Sequence, residues 1–397
     1  MSYPFKTSFY DWLVTLRRQL HQIPEKAYAE KKTAALICKT LDALGVSYQD
    51  GIGKTGVVAR LRAKQDGPVI AFRADMDALP ITEANDLPYA SRHSGWMHAC
   101  GHDAHVSIAL GVIRWLQEKE WQEKGAGEIL FIFQPAEEDG AGADAMLETG
   151  FFDDEPVQAI FAGHMDPELH LGHVGIPPRV SHAATNAFIL DIRGKGGHGA
   201  HPDQCCDPIV AGAHLVTQVQ TLISREISPI DSGVVTIGSF QAGSATNIIP
   251  ETARIKGTIR TLSQPNREKI LRRFQEMLKG IEISFGAEID LGMGDGYPVL
   301  ENDPGVTAYG REFARRVLGE AYVHMRPPCM GGEDFSYFCR RWKGAMFHIG
   351  CRNPEEEFRF GLHSQFFKLD ERVLDAGTAF FGEMLMDYSS HSESAGE

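Results

Sequence analysis

The densest group of residues able to do chemistry is the run MHACGHDAH over 97–105, where Cys100 and His102 stand two apart. A thiolate and a neutral imidazole at a turn into the apolar-periodic segment VSIALGVIRWL are good ligands for a zinc-like ion. Cys100 alone would read as a small buried hydrophobe. Its company of ionisable groups elsewhere in the chain moves the reading to metal. His98 and His105, which flank the pair, read as supporting or capping groups rather than ligands. Glu137 and Glu138 follow the apolar run ILFIF in FQPAEE. In a loop, one such carboxylate can hold metal while the other reaches a metal-bound water. Hydrolysis needs that division, because a metal lowers the pKa of water and an unligated Glu removes its proton. An isolated acidic triplet would be a solvated loop, but a position directly after a buried strand reverses that preference.

Further candidates sit at other strand ends. Asp75 and Asp77 close the run VIAFRADMD, and alternation puts both carboxylates on one side, to ligate metal or to orient a ligand or base. His164 follows AIFAG directly, and neutral imidazole is the commonest protein metal ligand. His170 and His173 lie close behind and compete with it; the position straight after the strand favours His164. His363, in GLHS, is weaker on local grounds. In GKGGHGAHP (194–202), His198 occupies a glycine-rich turn from which an imidazole can project to stabilise an oxyanion. Asn247 in AGSATNIIP and Arg260 in GTIRT are polar groups suited to a substrate carboxylate, Arg by its fork of donors. In MGGEDFSYF, Glu333 and Asp334 stand at a helix start, where carboxylates cap favourably and support a site.

The elements that must position these groups alternate. Helix periodicity covers 7–22 and 32–44, and buried strands are expected over 56–61, 69–73, 128–133 and 157–163. Continuous β-rich runs of this kind suit strands covered by helices on both faces, a mostly parallel sheet in an α/β layer structure. In open sheets of that type ligands bind beyond the carboxyl ends of strands, so the three ionisable tails point to one crevice. From 184 the order becomes βαββαβ, a ferredoxin-like unit of about 110 residues. The α/β alternation of the first half resumes after 295, with Asp303 and Pro304 as N-cap and first helical residue, a strand near AMFHIG and a helix over 370–388. We therefore read a catalytic α/β domain (1–183 and 296–397) interrupted by an inserted ferredoxin-like lid domain (184–295). The polar tail SSHSESAGE is expected to fray.

Composition narrows the partners. With 397 residues, one core is too few at roughly 150 residues per domain. Lys plus Arg of 39 against Asp plus Glu of 53 gives a net charge of −14, which leaves no bulk basicity for nucleic acid. No stretch approaches the ~18 apolar residues of a membrane span, and no secretory signal is visible, so a soluble cytoplasmic protein is expected. Seven Cys without a C-x-x-C pair argue for reduced thiols, Cys205 and Cys206 included.

Taken in order, RRQLHQIPEKAYAEKKTAALI, RADMDALPI, MHACGHDAH, FIFQPAEE, GKGGHGAHP, GSATNIIPETARIKGTIRT, MGGEDFSYF and GLHS span nearly the whole chain. The chain resembles the bimetallic amidohydrolases that include hippurate hydrolase, N-acetyldiaminopimelate deacetylase and auxin-conjugate hydrolases. The resemblance implies two divalent cations per subunit, Zn²⁺ or Mn²⁺ with Co²⁺ as a further option, and a lid domain that makes a homodimer or higher homo-oligomer. It implies Cys100, His102, Glu138, His164 and His363 as metal ligands and Glu137 as general base. It also implies His198 as the lid histidine, Asn247 near the substrate, and Asp77 as the supporting acid. The sequence departs from the usual wording around His201 and in GHMDPELHLG. The expected reaction is hydrolysis of the amide of an N-acyl amino acid, of the hippurate hydrolase or aminoacylase type. The alternative within that chemistry is deacetylation of N-acetyl-L,L-diaminopimelate in lysine biosynthesis. An inactive metal-stabilised binding protein is the alternative of another class; the intact Glu137 beside Glu138 argues against it.

Overall fold

The computed structural model describes residues 7–353 and 360–391. The chain forms two compact units, one of Met1–Ser181, Glu301–Pro327 and Asp334–Glu397, the other of His182–Leu300 with Pro328–Glu333. Both are α/β. Among the described residues no helix is long and apolar enough to cross a membrane.

The first unit is built on an eight-stranded sheet among the described residues. Its order is Ser47–Ile52, Gly56–Arg62, Ala126–Gln134, Gln65–Asp75, Val157–His170, Gly344–Arg352, Val174–Ile176 and Val323–Met325. The four central strands from Ala126–Gln134 to Gly344–Arg352 run parallel. On one side the sheet turns antiparallel through the hairpin of Ser47–Ile52 and Gly56–Arg62; on the other, Val174–Ile176 pairs antiparallel with Gly344–Arg352. The sheet is thus mixed, with a parallel centre, because hairpin neighbours need only a short turn whereas parallel neighbours need a crossover. The short strands at 47–52, 174–176 and 323–325 carry no apolar run of their own, which is why periodicity does not show them.

The parallel strands are almost fully buried, for example Ala126–Gln134 from Ile129 onward. Helices Thr7–His21, His102–Glu118 and Arg372–His391 supply apolar side chains to the same core as the sheet. The chain returns to this unit at Pro304–Leu318, where Asp303 Oδ1 accepts from Val306 N at 2.9 Å and Pro304 opens the helix. The final helix runs past the expected fray point: Ser389 is buried and its Oγ accepts from Trp121 Nε1 at 3.3 Å. Residues 392–397 of the polar tail lie outside the described residues.

One close approach ties this helix to the sheet beneath the ionisable groups. Gly163 has no side chain where the Phe381 ring lies, and a Cβ there would stand 2.5 Å from ring carbons. Phe381 also packs on Phe72 with ring centroids 4.8 Å apart and on Phe347 at 6.3 Å.

The second unit has a four-stranded antiparallel sheet in the order Gly233–Ala242, Thr252–Thr261, Ala184–Arg193, Glu288–Met293. Helices Pro208–Glu226 and Gln264–Phe285 share its core with Phe188, Leu190, Ile192 and Ile255. Element order and strand order together are ferredoxin-like. The segment Pro328–Glu333 joins this unit, with Ala183 N donating to Gly331 O at 3.0 Å.

Phe381→Ala removes the ring on which three strands and the last helix meet, and large-to-small changes at such sites cost about 3–5 kcal/mol. The first unit of the variant is expected to unfold at clearly lower denaturant, read by chemical denaturation with tryptophan fluorescence. An unchanged midpoint would contradict this packing.

Candidate metal centre

The parallel strands deliver their carboxyl ends side by side. Asp75 ends one strand, and Arg73 pairs with Ala162 of the next, which puts Asp75 and His164 at the same level. On the other side Asp75 pairs with Gln134, after which the chain leaves the sheet through Pro135 and Ala136 into Glu137 and Glu138. Helix His102–Glu118 begins just after Cys100. His363 comes from a loop whose backbone is tied to the same place, His363 N donating to Ala99 O at 2.8 Å.

The structure brings Cys100, His102, Glu137, Glu138, His164 and His363 together. Three groupings have their ligand atoms mutually within 4.8 Å: Cys100, His102 and His164; Cys100, Glu138 and His363; His102, Glu137 and Glu138. Cys100 Sγ lies 3.5 Å from His164 Nε2, and Glu138 Oε1 lies 3.2 Å from His363 Nε2 and 3.8 Å from His102 Nε2. Donors bound at about 2.0–2.3 Å to one ion stand about 3–4 Å apart, so these separations suit shared coordination.

Tautomers agree with that reading. A carbonyl can only accept, so the 3.1 Å contact of His102 Nδ1 with Asp77 O puts the ring hydrogen on Nδ1 and leaves Nε2 with its lone pair. His164 Nδ1 likewise donates to Met165 O at 2.9 Å, which turns Nε2 toward Cys100. His102 Nε2 and Glu138 Oε1 are buried without a hydrogen bond of good geometry, the nearest group to Glu138 Oε1 being the His363 ring at 3.2 Å. Buried polar atoms are rarely left so, and a cation would satisfy both. With sulfur, imidazole and carboxylate donors converging, the residues fit a divalent metal.

Asp75, His102 and His105 form a further close grouping, but its members are committed otherwise. His105 Nδ1 meets Asp75 Oδ1 at 2.5 Å and its Nε2 accepts from Met165 N at 2.9 Å, so neither nitrogen is open. Asp75 is held from below by Arg73, which is 1 % exposed and also donates to Gln134 and to Asp334. Asp334 accepts in addition from Gln134 Nε2 and Ala143 N. Its carboxylate forms no cap on helix Phe335–Arg341 and is spent on this buried network. Asp77 Oδ2 accepts from Glu138 N at 3.1 Å, so Asp77 touches both the His102 ring and the Glu138 backbone.

His98 is buried with both ring nitrogens lacking partners, and burial holds its pKa down at about 3. His170 and His173 stand elsewhere. Arg352 approaches His170 Nε2 at 3.1 Å, and His173 Nδ1 contacts His324 Nε2 at 2.6 Å. On the second unit, His198 is exposed and forms a two-residue ribbon with Ile248, next to Asn247, whose carbonyl accepts from Gly199 N at 2.8 Å. Arg260 donates from Nη1 to Met330 O at 2.7 Å.

Sequence reasoning missed the supports. Asp103 beside His102 is buried against Arg17 Nε at 2.8 Å and His21 Nδ1 at 2.8 Å, which fastens the first turn of its helix to the end of helix Thr7–His21. Burial opposes ionisation of Asp103, but Arg17 and His21 outweigh it and hold its carboxyl well below the ordinary range. The charged residues in RRQLH were the available signal, and spacing alone could not pair them with position 103.

Without a cation, the cluster holds protons. Burial, then Glu138, Glu137 and Asp75, push the Cys100 thiol well above its ordinary value. Burial opposes charge on His102, yet Asp75, Asp77 and Glu138 overcome it and raise its pKa to about 10.

Comparison with known proteins follows the same lines. The model of the family described as peptidase family M20/M25/M40 matches residues 71–387. An N-acetyldiaminopimelate deacetylase of Shouchella clausii is 40% identical over 363 residues, 91% of this chain and 94% of that protein. The crystal structure of a putative aminohydrolase from methicillin-resistant Staphylococcus aureus superposes with a TM-score of 0.90 at 33% identity, covering 96% of this chain and 97% of that one. The Bacillus subtilis YXEP protein, described as a dinuclear metal-binding peptidase, gives 0.82 at 32% identity over 97% and 99%.

With Cys100 and His102 as ligands, metal uptake by the chelator-stripped protein would displace their protons, and apparent affinity is expected to rise with pH between 6 and 8, by up to about a hundredfold per unit if both leave. Indicator competition in parallel with proton release in weak buffer measures this. Affinity independent of pH would contradict the assignment.

Proposed function

Because the chain belongs to peptidase family M20/M25/M40 and is therefore a metal-dependent hydrolase of amide bonds, we propose that it deacetylates N-acetyl-L,L-diaminopimelate. The observation that carries this choice is the 40% identity to a deacetylase of that name over nine-tenths of both chains. The hippurate hydrolase or aminoacylase reading, placed first on sequence, becomes the second reading. It shares every group at the centre and differs only in the acyl and amino acid parts of the substrate.

In this reading Cys100, His102, Glu138, His164 and His363 hold two divalent cations, with Cys100 common to two of the donor groupings. Bound there, the metals supply Lewis-acid polarisation of the acyl carbonyl and acidify water. Zinc and manganese both suit a set of one sulfur, three imidazoles and one carboxylate, with cobalt as a further option. Glu137, 5 % exposed beside these donors, takes a proton from water as its oxygen bonds to the acyl carbon. The C–N bond then breaks, and Glu137 delivers that proton to the leaving nitrogen, which yields acetate and the free amine. Asp77 keeps the His102 ring turned so that Nε2 faces the centre. His198 accepts at Nδ1 from Ala200 N at 3.0 Å, so its Nε2 carries the hydrogen and is the donor we assign to the oxyanion. Asn247 and Arg260 are assigned to substrate carboxylates.

Glu137→Gln keeps shape and removes the base; kcat is expected to fall by about 10²–10⁴-fold with metal content unchanged, read by steady-state kinetics and elemental analysis. Near wild-type turnover would remove Glu137 from its role. A side-by-side assay should give the highest kcat/KM for N-acetyldiaminopimelate, above hippurate and N-acetylmethionine. A preference for hippurate would restore the aminoacylase reading.

A further inference from the structure

We propose that Glu30 is a positioning residue for hydrolysis: it clamps the loop that aims Glu137 and acts through the backbone of Ala136. This rests on the reading of Glu137 as the base.

Glu30 lies just before helix Lys31–Leu44, far in sequence from the loop that carries Glu137, yet it is fully buried, at 0 % exposure. Three donors converge on it. Oε1 accepts from Ala136 N at 2.9 Å and from Tyr28 N at 3.0 Å, and Oε2 accepts from Thr55 Oγ1 at 2.6 Å. Its oxygens are thereby engaged away from any substrate.

Ala136 is the residue directly before the base and sits at φ 53°, in the left-handed region that an alanine seldom occupies. Such a conformation persists only when its surroundings impose it. The other end of the loop is held by the same turn: Tyr28 Oη donates to Gly140 O at 2.5 Å. Just past Gly140, Gly142 N donates to Ala136 O at 3.1 Å, and any Cβ on Gly142 would lie 1.6 Å from Pro135 O, so the loop folds tightly on itself. Glu138 has its own restraint in Asp77. The backbone N–H next to Glu137 has Glu30, so the direction of the base depends on a side chain 106 residues away in sequence. Misplacing a reacting group by about 1 Å can cost about a hundredfold in rate.

The test compares metal-loaded Glu30→Ala, Glu30→Gln, Glu30→Asp and Thr55→Val with Glu137→Gln. Glu30→Ala should lower kcat about ten- to a hundredfold, with KM within about twofold and metal content intact. Glu30→Gln keeps an acceptor oxygen for Ala136 N and should recover most of that loss. Glu30→Asp withdraws the acceptor by one methylene and should behave like Ala. Thr55→Val, which spares the Ala136 bond, should stay near wild type. A Glu30→Ala protein that melts earlier but turns over normally, or a Gln variant as poor as Asp, overturns the proposal. If Ala fails to fold, the Gln and Asp pair decides. Loss of activity in Glu137→Gln together with normal kcat in Glu30→Ala would sink the clamp and spare the base; normal activity in Glu137→Gln would sink the base itself.

Discussion

Bringing a thiol, three imidazoles and several carboxylates into a space a few ångströms wide is costly, because burial disfavours charge and the like charges of Glu137, Glu138, Asp75 and Asp77 oppose one another. Everything around the centre can be understood as compensation for that. Arg73 lies beneath Asp75 and Asp334 and Arg17 lies against Asp103; cations at the donor atoms would complete the balance. The raised Cys100 and His102 values show the same constraint from the other side: lacking a cation, the cluster keeps protons to hold down its negative charge.

The sheet makes this convergence mechanically sound. Four parallel strands end at one edge, and their continuous apolar runs anchor each end to a core that extends to the Phe72, Phe347 and Phe381 rings. Groups placed on strand ends and on one helix start inherit the rigidity of those elements, and such placement is what a geometry-sensitive reaction requires. The loops bearing Glu137 and His363 are marked by non-glycine residues at positive φ, Ala136 in the first and His363 itself in the second. The Glu-bearing loop is accordingly fastened by side chains from the connection between the first two helices.

Orientation within the centre is set by atoms that carry no chemistry of their own. The Asp77 and Met165 carbonyls choose the tautomers of His102 and His164, and a backbone N–H occupies His105 Nε2. Three histidines within a few ångströms thus have different capacities, two with a lone pair facing Cys100 and the carboxylates and one with none to spare. The second unit follows a different plan, an antiparallel ferredoxin-like sheet whose exposed ribbon presents His198 beside Asn247.

The amino-acid pattern by itself determined the alternation of helices and buried strands, the inserted βαββαβ order, and the presence of ionisable residues immediately after strands. These are local properties, since an apolar run and the residue that ends it are neighbours in the chain. It set His102 apart from His98 and His105 only by its spacing from Cys100; the physical ground lies in the fold, because the capacity of an imidazole to bind metal depends on what its other nitrogen touches, and those partners lie up to 60 residues away. The pattern could not show Arg73 under Asp334 or Glu30 on Ala136, which are pairs across 261 and 106 residues with no periodic trace. Only the folded chain decides which donors stay open and which way a base points, since both follow from side chains meeting across the core.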